Sequence, residues 1–285
     1  YTLPDLKKPD PGRTALEAAE IIAKGVTGGS ITMHAFALPY HAKDGKAALP
    51  VVIQVPGEAL AEAVKRKQIG LQLYGYLTNA EGAVLDYFQA TPVLDPAQLG
   101  ESLRKKGLQV ITTFAAVPGS LEVRLLVRDP LTSTWGALRL PVEVPSFGAG
   151  SSAFASAPMV VDDPFSRVAL PTTTQRRPNR DIPFRLDDRP ITVETDPVLK
   201  RGEAREVCVY VRPGTGALPS FQLELVGSDG ARHPQKADKI SVVRDADGFD
   251  RVVFFVSPSG VEPGEYALSV AVAGGPAASS PVRIQ

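Results

Sequence analysis

LQVITTFAAVPGSLEVRLLVRDPLTSTWGALRLPVEVP, residues 108–145, decides the fold. It contains three strand-length runs, LQVITTFAAV, LEVRLLVRD and ALRLPVEVP, each apolar or alternating between apolar and polar residues. Alternation with a period of two places successive side chains on opposite faces of a strand. Pro118-Gly119 separates the first two runs; proline presets one turn dihedral and glycine supplies the other. Upstream, ITMHAFAL, LPVVIQVP, IGLQLYGYLT and AVLDYFQA repeat the pattern around the turn signals AKDGK and NAEG. About seven short strands in succession is the density of a β-sandwich. EALAEAVKRKQ interrupts the series as a short helix or a polar loop, and PAQLGESLRKKG reads equally as a brief helix or an edge loop.

A second series follows. PITVETD, REVCVYVRP, SFQLELVGSDG, KISVVRDADG, RVVFFVSP, GEYALSVAV and SPVRIQ again make about seven strands. Its EPGEYALSVAV, with Pro263-Gly264, matches VPGSLEVRLLV of the first series, so both halves enter their last hairpin through a Pro-Gly turn. Between the series, FGAGSSAFASAP is small and TTTQRRPNRD is polar and basic, the composition of a connection, while PMVVDDP could add an edge strand. The amino-terminal stretch is proline- and lysine-rich and then turns helical. In TALEAAEIIAKG, Thr14 and Glu17 have capping-box spacing, Leu16, Ala19, Ile22 and Ala23 form an apolar stripe, and Gly25 supplies a stop. The expectation is an all-β chain of two tandem immunoglobulin-like β-sandwiches with a short N-terminal helix. Its expected divisions are a lead-in and helix over 1–28, a first sandwich over 29–146, a connection over 147–181 and a second sandwich over 182–285.

The composition excludes several classes. Thirty-one basic and 31 acidic residues cancel, so no global field draws nucleic acid or an anionic membrane. No apolar run approaches the roughly 18–20 residues of a membrane span. The single cysteine, Cys208, permits no internal disulfide, and its place in VCVYV reads as a buried small hydrophobe. The sequence begins at Tyr1 without a methionine or signal-peptide pattern, as expected of a processed product or a fragment.

Chemistry is sparse. His34, His41 and His233 stand at no metal-ligand spacing, and the nucleophile-elbow and phosphate-loop motifs are absent. Asp162-Asp163 and Asp187-Asp188 are adjacent carboxylates, which in a strand point to opposite faces. Asp245, Asp247 and Asp250 beside Gly248 offer the hard oxygens calcium needs. They miss the EF-hand spacing, however, and an Asp-Gly turn between KISVVR and RVVFFV reads as an ordinary hairpin. No catalytic residue and no cofactor are expected. Tyr74 and Tyr76 share one face of IGLQLYGYLT, with Tyr87 on the next strand. This tyrosine strip is a candidate ligand or partner surface, or simply the half-covered side of a sheet. Trp135 reads as a core or edge anchor.

The ordering GLQLYGYLTNAEGAVLDYF followed by residues 108–145 resembles the region after the von Willebrand factor A domain in the acidobacterial "VWFA-related" secreted proteins. Those proteins carry a strand ending D-x-x-G, a PG-x-Y-x-L-x-V-x-V-R-D hairpin and a terminal V-x-V-P. Here Asn79 and Gly82 stand at the first turn, Pro118-Gly119 and Arg128-Asp129 in the hairpin, and Val144-Pro145 at the end. Leu121 replaces the usual tyrosine, which Tyr266 restores in the second hairpin. SSAFASAPMVVDD and PVLKRGEAREVCVYV are similar to that family's connection and second sandwich. The A domain is absent: no D-x-S-x-S occurs, so nothing of its metal site carries over. The resemblance implies an extracytoplasmic, non-catalytic module. The expected function is therefore interaction with other proteins of a surface assembly. Glycan binding through the tyrosine strip and a hydrolase with a dispersed active site are the alternatives.

Overall fold

The computed structural model describes residues 11–41, 47–147, 153–162, 168–171, 185–186, 189–190, 192–212, 220–244 and 248–285. The chain divides into two compact units. The first gathers Tyr1–Ala37, Leu49–Val144 and Arg167–Arg180; the second gathers Leu38–Ala48, Pro145–Ser166 and Asp181–Gln285. Strands are numbered below in chain order.

In the first unit one sheet has the order β1 (Gly28–Gly29), β11 (Thr134–Val144), β10 (Gly119–Asp129), β6 (Gln72–Asn79), β7 (Val84–Ala90). The other has the order β14 (Val168–Pro171), β9 (Leu108–Ala116), β4 (Ala47–Val55), β2 (His34–Ala37); β3 (Tyr40–His41) pairs with Ala47 and Ala48 at the start of β4, residues that belong to the second unit. A two-stranded piece, β5 (Ile69–Gly70) with β8 (Val93–Leu94), lies outside both. Along β6 and β10 the alternation works as the sequence reads: Leu73, Leu77, Val123, Leu125 and Val127 are buried on one face. Gly75 lies opposite Phe88 in the ladder, and a Cβ there would sit 2.1 Å from Cε1 of that ring. The glycine therefore makes the slot that Phe88 fills, and the ring meets Phe114 of the facing sheet at 5.7 Å.

Helix α1 (Pro11–Ala23) begins earlier than the capping-box spacing predicts, so Thr14 lies inside it. Proline suits the first helical turn, because its missing N–H would have no partner there. The expected stop is present: Gly25 has φ +61°, its N–H bonds Ile22 O at 3.0 Å, and Val26 N–H bonds Ile21 O at 3.3 Å. This paired closure is the Schellman motif. The buried face is Ala18, Ile21 and Ile22, packed on Tyr74, Tyr76, Leu126, Trp135 and Ala137, while Leu16 is 73% exposed. The stripe is thus rotated from the predicted one. EALAEAVKRKQ forms two 3-10 turns, Glu58–Leu60 and Ala63–Lys65. PAQLGESLRKK is helix α2 (Pro96–Lys106), capped by Asp95 Oδ1 accepting Ala97 N–H at 2.8 Å.

The second unit pairs a sheet ordered β17 (Thr192–Val193), β13 (Met159–Asp162), β19 (Arg205–Arg212), β23 (Asp250–Val256), β22 (Ala237–Arg244) with one ordered β18 (Val198–Leu199), β25 (Ala277–Ile284), β24 (Gly264–Val272), β20 (Phe221–Gly227), β21 (Arg232–Pro234). A small hairpin, β15 (Arg185–Leu186) with β16 (Arg189–Pro190), stands apart. The core interleaves Val207, Val209, Val211, Val252, Phe254 and Val256 of one sheet with Leu223, Leu225, Leu268, Val270, Val282 and Ile284 of the other. Cys208 is free and fully buried, and burial pushes its thiol up to about 12. It is the inert hydrophobe the sequence implies.

Of the stretch expected as a connection, three described pieces lie in sheets. β12 (Phe154–Ala155) and β13 both pair with β19, and β13 is internal, between β17 and β19. Ser156 bridges the break between them: its N–H bonds Tyr210 O at 2.8 Å and its Oγ accepts Tyr210 N–H at 2.9 Å. Farther on, β14 pairs in parallel with β9 of the first unit. The two units share one strand order, β11-β10-β6-β7 against β25-β24-β20-β21, and the Pro-Gly turns open the equivalent strands β10 and β24. Both are immunoglobulin-like sandwiches.

Candidate functional site

The sequence-predicted tyrosine strip is split by helix α1. Tyr74 is 5% exposed beneath the helix, and burial pushes its hydroxyl pKa up, with Arg128 acting in the opposite direction. Tyr76 is half-buried at the margin of the same cluster. Tyr87, its ladder partner on β7, is 67% exposed and stacks on Tyr76 at 6.1 Å with 26° between the rings. Tyr74 is therefore not part of a surface; the helix occupies its face.

One ion pair and two charge-assisted hydrogen bonds hold the helix there, and Glu122 sets the arginine that makes the latter. Arg128 Nη1 meets Glu17 Oε2 at 3.0 Å. Arg124 Nη1 donates to Ile22 O at 3.2 Å and Ala23 O at 3.1 Å, satisfying carbonyls at the negative end of the helix. Glu122 receives Arg124 Nε at 2.6 Å and Arg139 Nε at 2.8 Å. Partial burial works against the Glu122 charge, but the bonds from Arg139 and Arg124 outweigh it and hold the carboxyl below the usual carboxylate range.

Beyond the helix lies β7, the terminal strand of its sheet, paired among the described residues only with β6. The ladder slips between Leu77 and Thr78, so Leu85 falls at an irregularity and the alternation of AVLDYFQA breaks. As a result Val84 (53%) and Leu85 (41%) are both exposed next to Tyr87. Val93 and Val117 are exposed as well, the latter two residues from Ala115. Asp86 guards this edge, with Oδ1 accepting Tyr87 N–H and Oδ2 accepting Ala115 N–H of β9, both at 2.8 Å. A carboxylate tying β7 to β9 in this way blunts unwanted pairing. Residues 80–95 carry Glu81, Asp86 and Asp95 and no lysine or arginine. Sequence reasoning missed Val84 and Leu85 as surface residues, because the ladder slip leaves no mark in a strand pattern.

The other candidates come apart. Asp245 and Asp247 lie outside the described residues, and Asp250 is buried at the start of β23. Among the described residues no group of three or more His, Cys, Asp or Glu side chains is arranged to hold a metal ion. His233 packs edge-on against Tyr266 at 6.1 Å, and His34 is half-buried in β2. The His41 side chain, Asp163 and the Asp187-Asp188 pair fall outside what is described. Trp135 is the predicted anchor: it packs under α1, and its carbonyl accepts both Ser30 N–H at 2.8 Å and Ile31 N–H at 3.0 Å. No described helix is long and apolar enough to cross a membrane.

No protein-family model and no curated protein matches the chain. Among solved structures, a chain of the crystal structure of ICOS in complex with ICOS-L and an anti ICOS-L VNAR domain is similar over 87% of this chain and 94% of its own. The identity is 11% and the TM-score 0.23, too low for the likeness to bear on function.

Proposed function

We propose that this chain is a non-enzymatic, extracytoplasmic interaction module whose first sandwich docks an extended segment of another protein along β7. The observation that carries the reading is the exposure of Val84, Leu85 and Tyr87 side by side on a strand with one free edge. With Tyr87 N–H already held by Asp86, the edge offers its remaining backbone groups to an added strand, and the neighbouring side chains give it apolar contact. The carboxylates of residues 80–95, with no basic residue among them, select the partner: an apolar strand flanked by lysine or arginine. The resemblance to the sandwich region of VWFA-related secreted proteins supports the extracytoplasmic setting. Glycan stacking takes second place, because burial of Tyr74 leaves Tyr87 as the single well-exposed ring of the strip.

The test uses fluorescence anisotropy with labelled heptapeptides that alternate valine and threonine between terminal lysines or terminal glutamates. The lysine-flanked peptide binds, the glutamate-flanked one does not, and Leu85→Lys abolishes binding while leaving the circular dichroism spectrum unchanged. Equal binding of both peptides, or binding that survives Leu85→Lys, sinks the proposal.

A further inference from the structure

A second edge of the first sandwich is completed in an unusual way. In the second unit, the position beside β23 is filled by β22, eight residues long and antiparallel, directly preceding it in the chain. The first unit has no such strand before β9, because the stretch between β7 and β9 forms β8, which pairs with β5, and α2 instead. The place beside β9 is taken by β14, which comes from beyond the end of the sandwich and, among the described residues, runs parallel over Leu108–Ile111. β9 itself extends to Ala116. The sequence on both sides of this insertion, Pro145–Ser166 and Asp181–Gln285, belongs to the second unit. The first sandwich thus borrows its edge strand, and the described pairing is parallel, slightly weaker per residue than antiparallel.

We infer that the β9 edge is a strand-acceptor site, and that its second occupant is the Val168–Pro171 segment of another copy of this chain, exchanged reciprocally to give a strand-swapped dimer. Three features support that occupant. The segment already fits the site in register, Val168 to Leu108 through Pro171 to Ile111. Exchange of an identical element re-forms the same bonds in the dimer, so it carries little intrinsic cost. The formal net charge of the chain is zero, so copies do not repel one another. What disfavours exchange is the effective concentration of the chain's own segment, of order mM. Copies at micromolar concentration stay monomeric, and copies crowded to roughly millimolar exchange strands. This site is independent of β7, and neither reading needs the other.

The experiment places cysteines at the facing pair Ala169 and Gln109 in the full chain. Cys208 is buried and does not compete. Q109C/A169C is oxidised at about 10 μM, well below the effective concentration, and at about 1 mM, close to it, and then run on a denaturing gel without reductant. The expected result is an intrachain link at the lower concentration and an interchain fraction at least about tenfold larger at the higher. An interchain fraction that does not rise, or the absence of either link, overturns the inference. A second measurement needs no substitution. Unlabelled and nitrogen-15-labelled wild-type chains are incubated together near millimolar concentration, diluted and weighed by native mass spectrometry. Mixed dimers are expected, and their absence overturns the inference whether or not the cysteine variant folds.

Discussion

Substituting Gly75→Ala tests whether the Phe88 slot holds the edge strand in place. The new Cβ would lie 2.1 Å from Phe88 Cε1, 2.6 Å from Cδ1 and 3.1 Å from Leu125 Cδ2. The two distances to Phe88 are shorter than real contacts, so the ring must shift. Overfilling a packed core costs about 1–3 kcal/mol. Displacing Phe88 also weakens its contact with Phe114, and an aromatic pair of that kind is worth about 0.5–1.5 kcal/mol. Together these place the loss at about 2–4 kcal/mol, enough to lower the urea midpoint by about 1 M or more. The chain has one tryptophan, and Trp135 lies in the first unit against α1, so its fluorescence reports that unit alone. Phe88→Leu placed on Gly75→Ala should recover part of the loss, with a coupling of about 0.5–3 kcal/mol between the two positions. A Gly75→Ala midpoint within about 0.5 kcal/mol of wild type would refute the slot argument, as would strict additivity of the two changes.

Two other outcomes follow from the edge and the helix brace. The folded-state pKa of Glu122 is depressed, so its contribution to stability is present above the unfolded carboxylate range and disappears as pH falls through the folded value. Urea midpoints read by Trp135 from about pH 6 to about pH 3 should therefore fall less steeply in Glu122→Gln than in wild type, and parallel curves would count against the brace. Asp86→Ala strips the partner from Tyr87 N–H and Ala115 N–H, both exposed, for a loss of about 0.5–1.5 kcal/mol. With its guard removed, the β7 edge should also self-associate in light scattering; a variant as stable and as monomeric as wild type would show that the carboxylate does neither job.

Much of the fold is legible because strands announce themselves locally. The alternation of LEVRLLVRD, the Pro-Gly turns and the apolar run around Cys208 all describe what neighbouring residues do. What escaped reading depends on partners distant in sequence. α1 buries Ala18, Ile21 and Ile22, because Tyr74, Leu126 and Ala137 choose the face, and helix periodicity alone cannot. Tyr74 looked like a candidate surface residue because a strand pattern separates faces without saying what covers them. The slip at Leu77/Thr78 that turns Leu85 outward is a ladder property, set by two strands together. A small-residue stretch such as FGAGSSAFASAP reads as a spacer, yet Phe154–Ala155 joins β19 because Ser156 supplies the missing backbone partner.

The borrowed strand also sets an order of events at the ribosome. Synthesis delivers β11, the last strand of the first sandwich's own run, well before Val168–Pro171 emerges, and β12 and β13 of the second unit appear in between. The nascent first sandwich must therefore wait with the β9 edge open while the next unit has already begun. Its completion is timed by translation of a neighbour, and a pause between residues 145 and 168 would lengthen the interval in which a nearby nascent chain can reach that edge first.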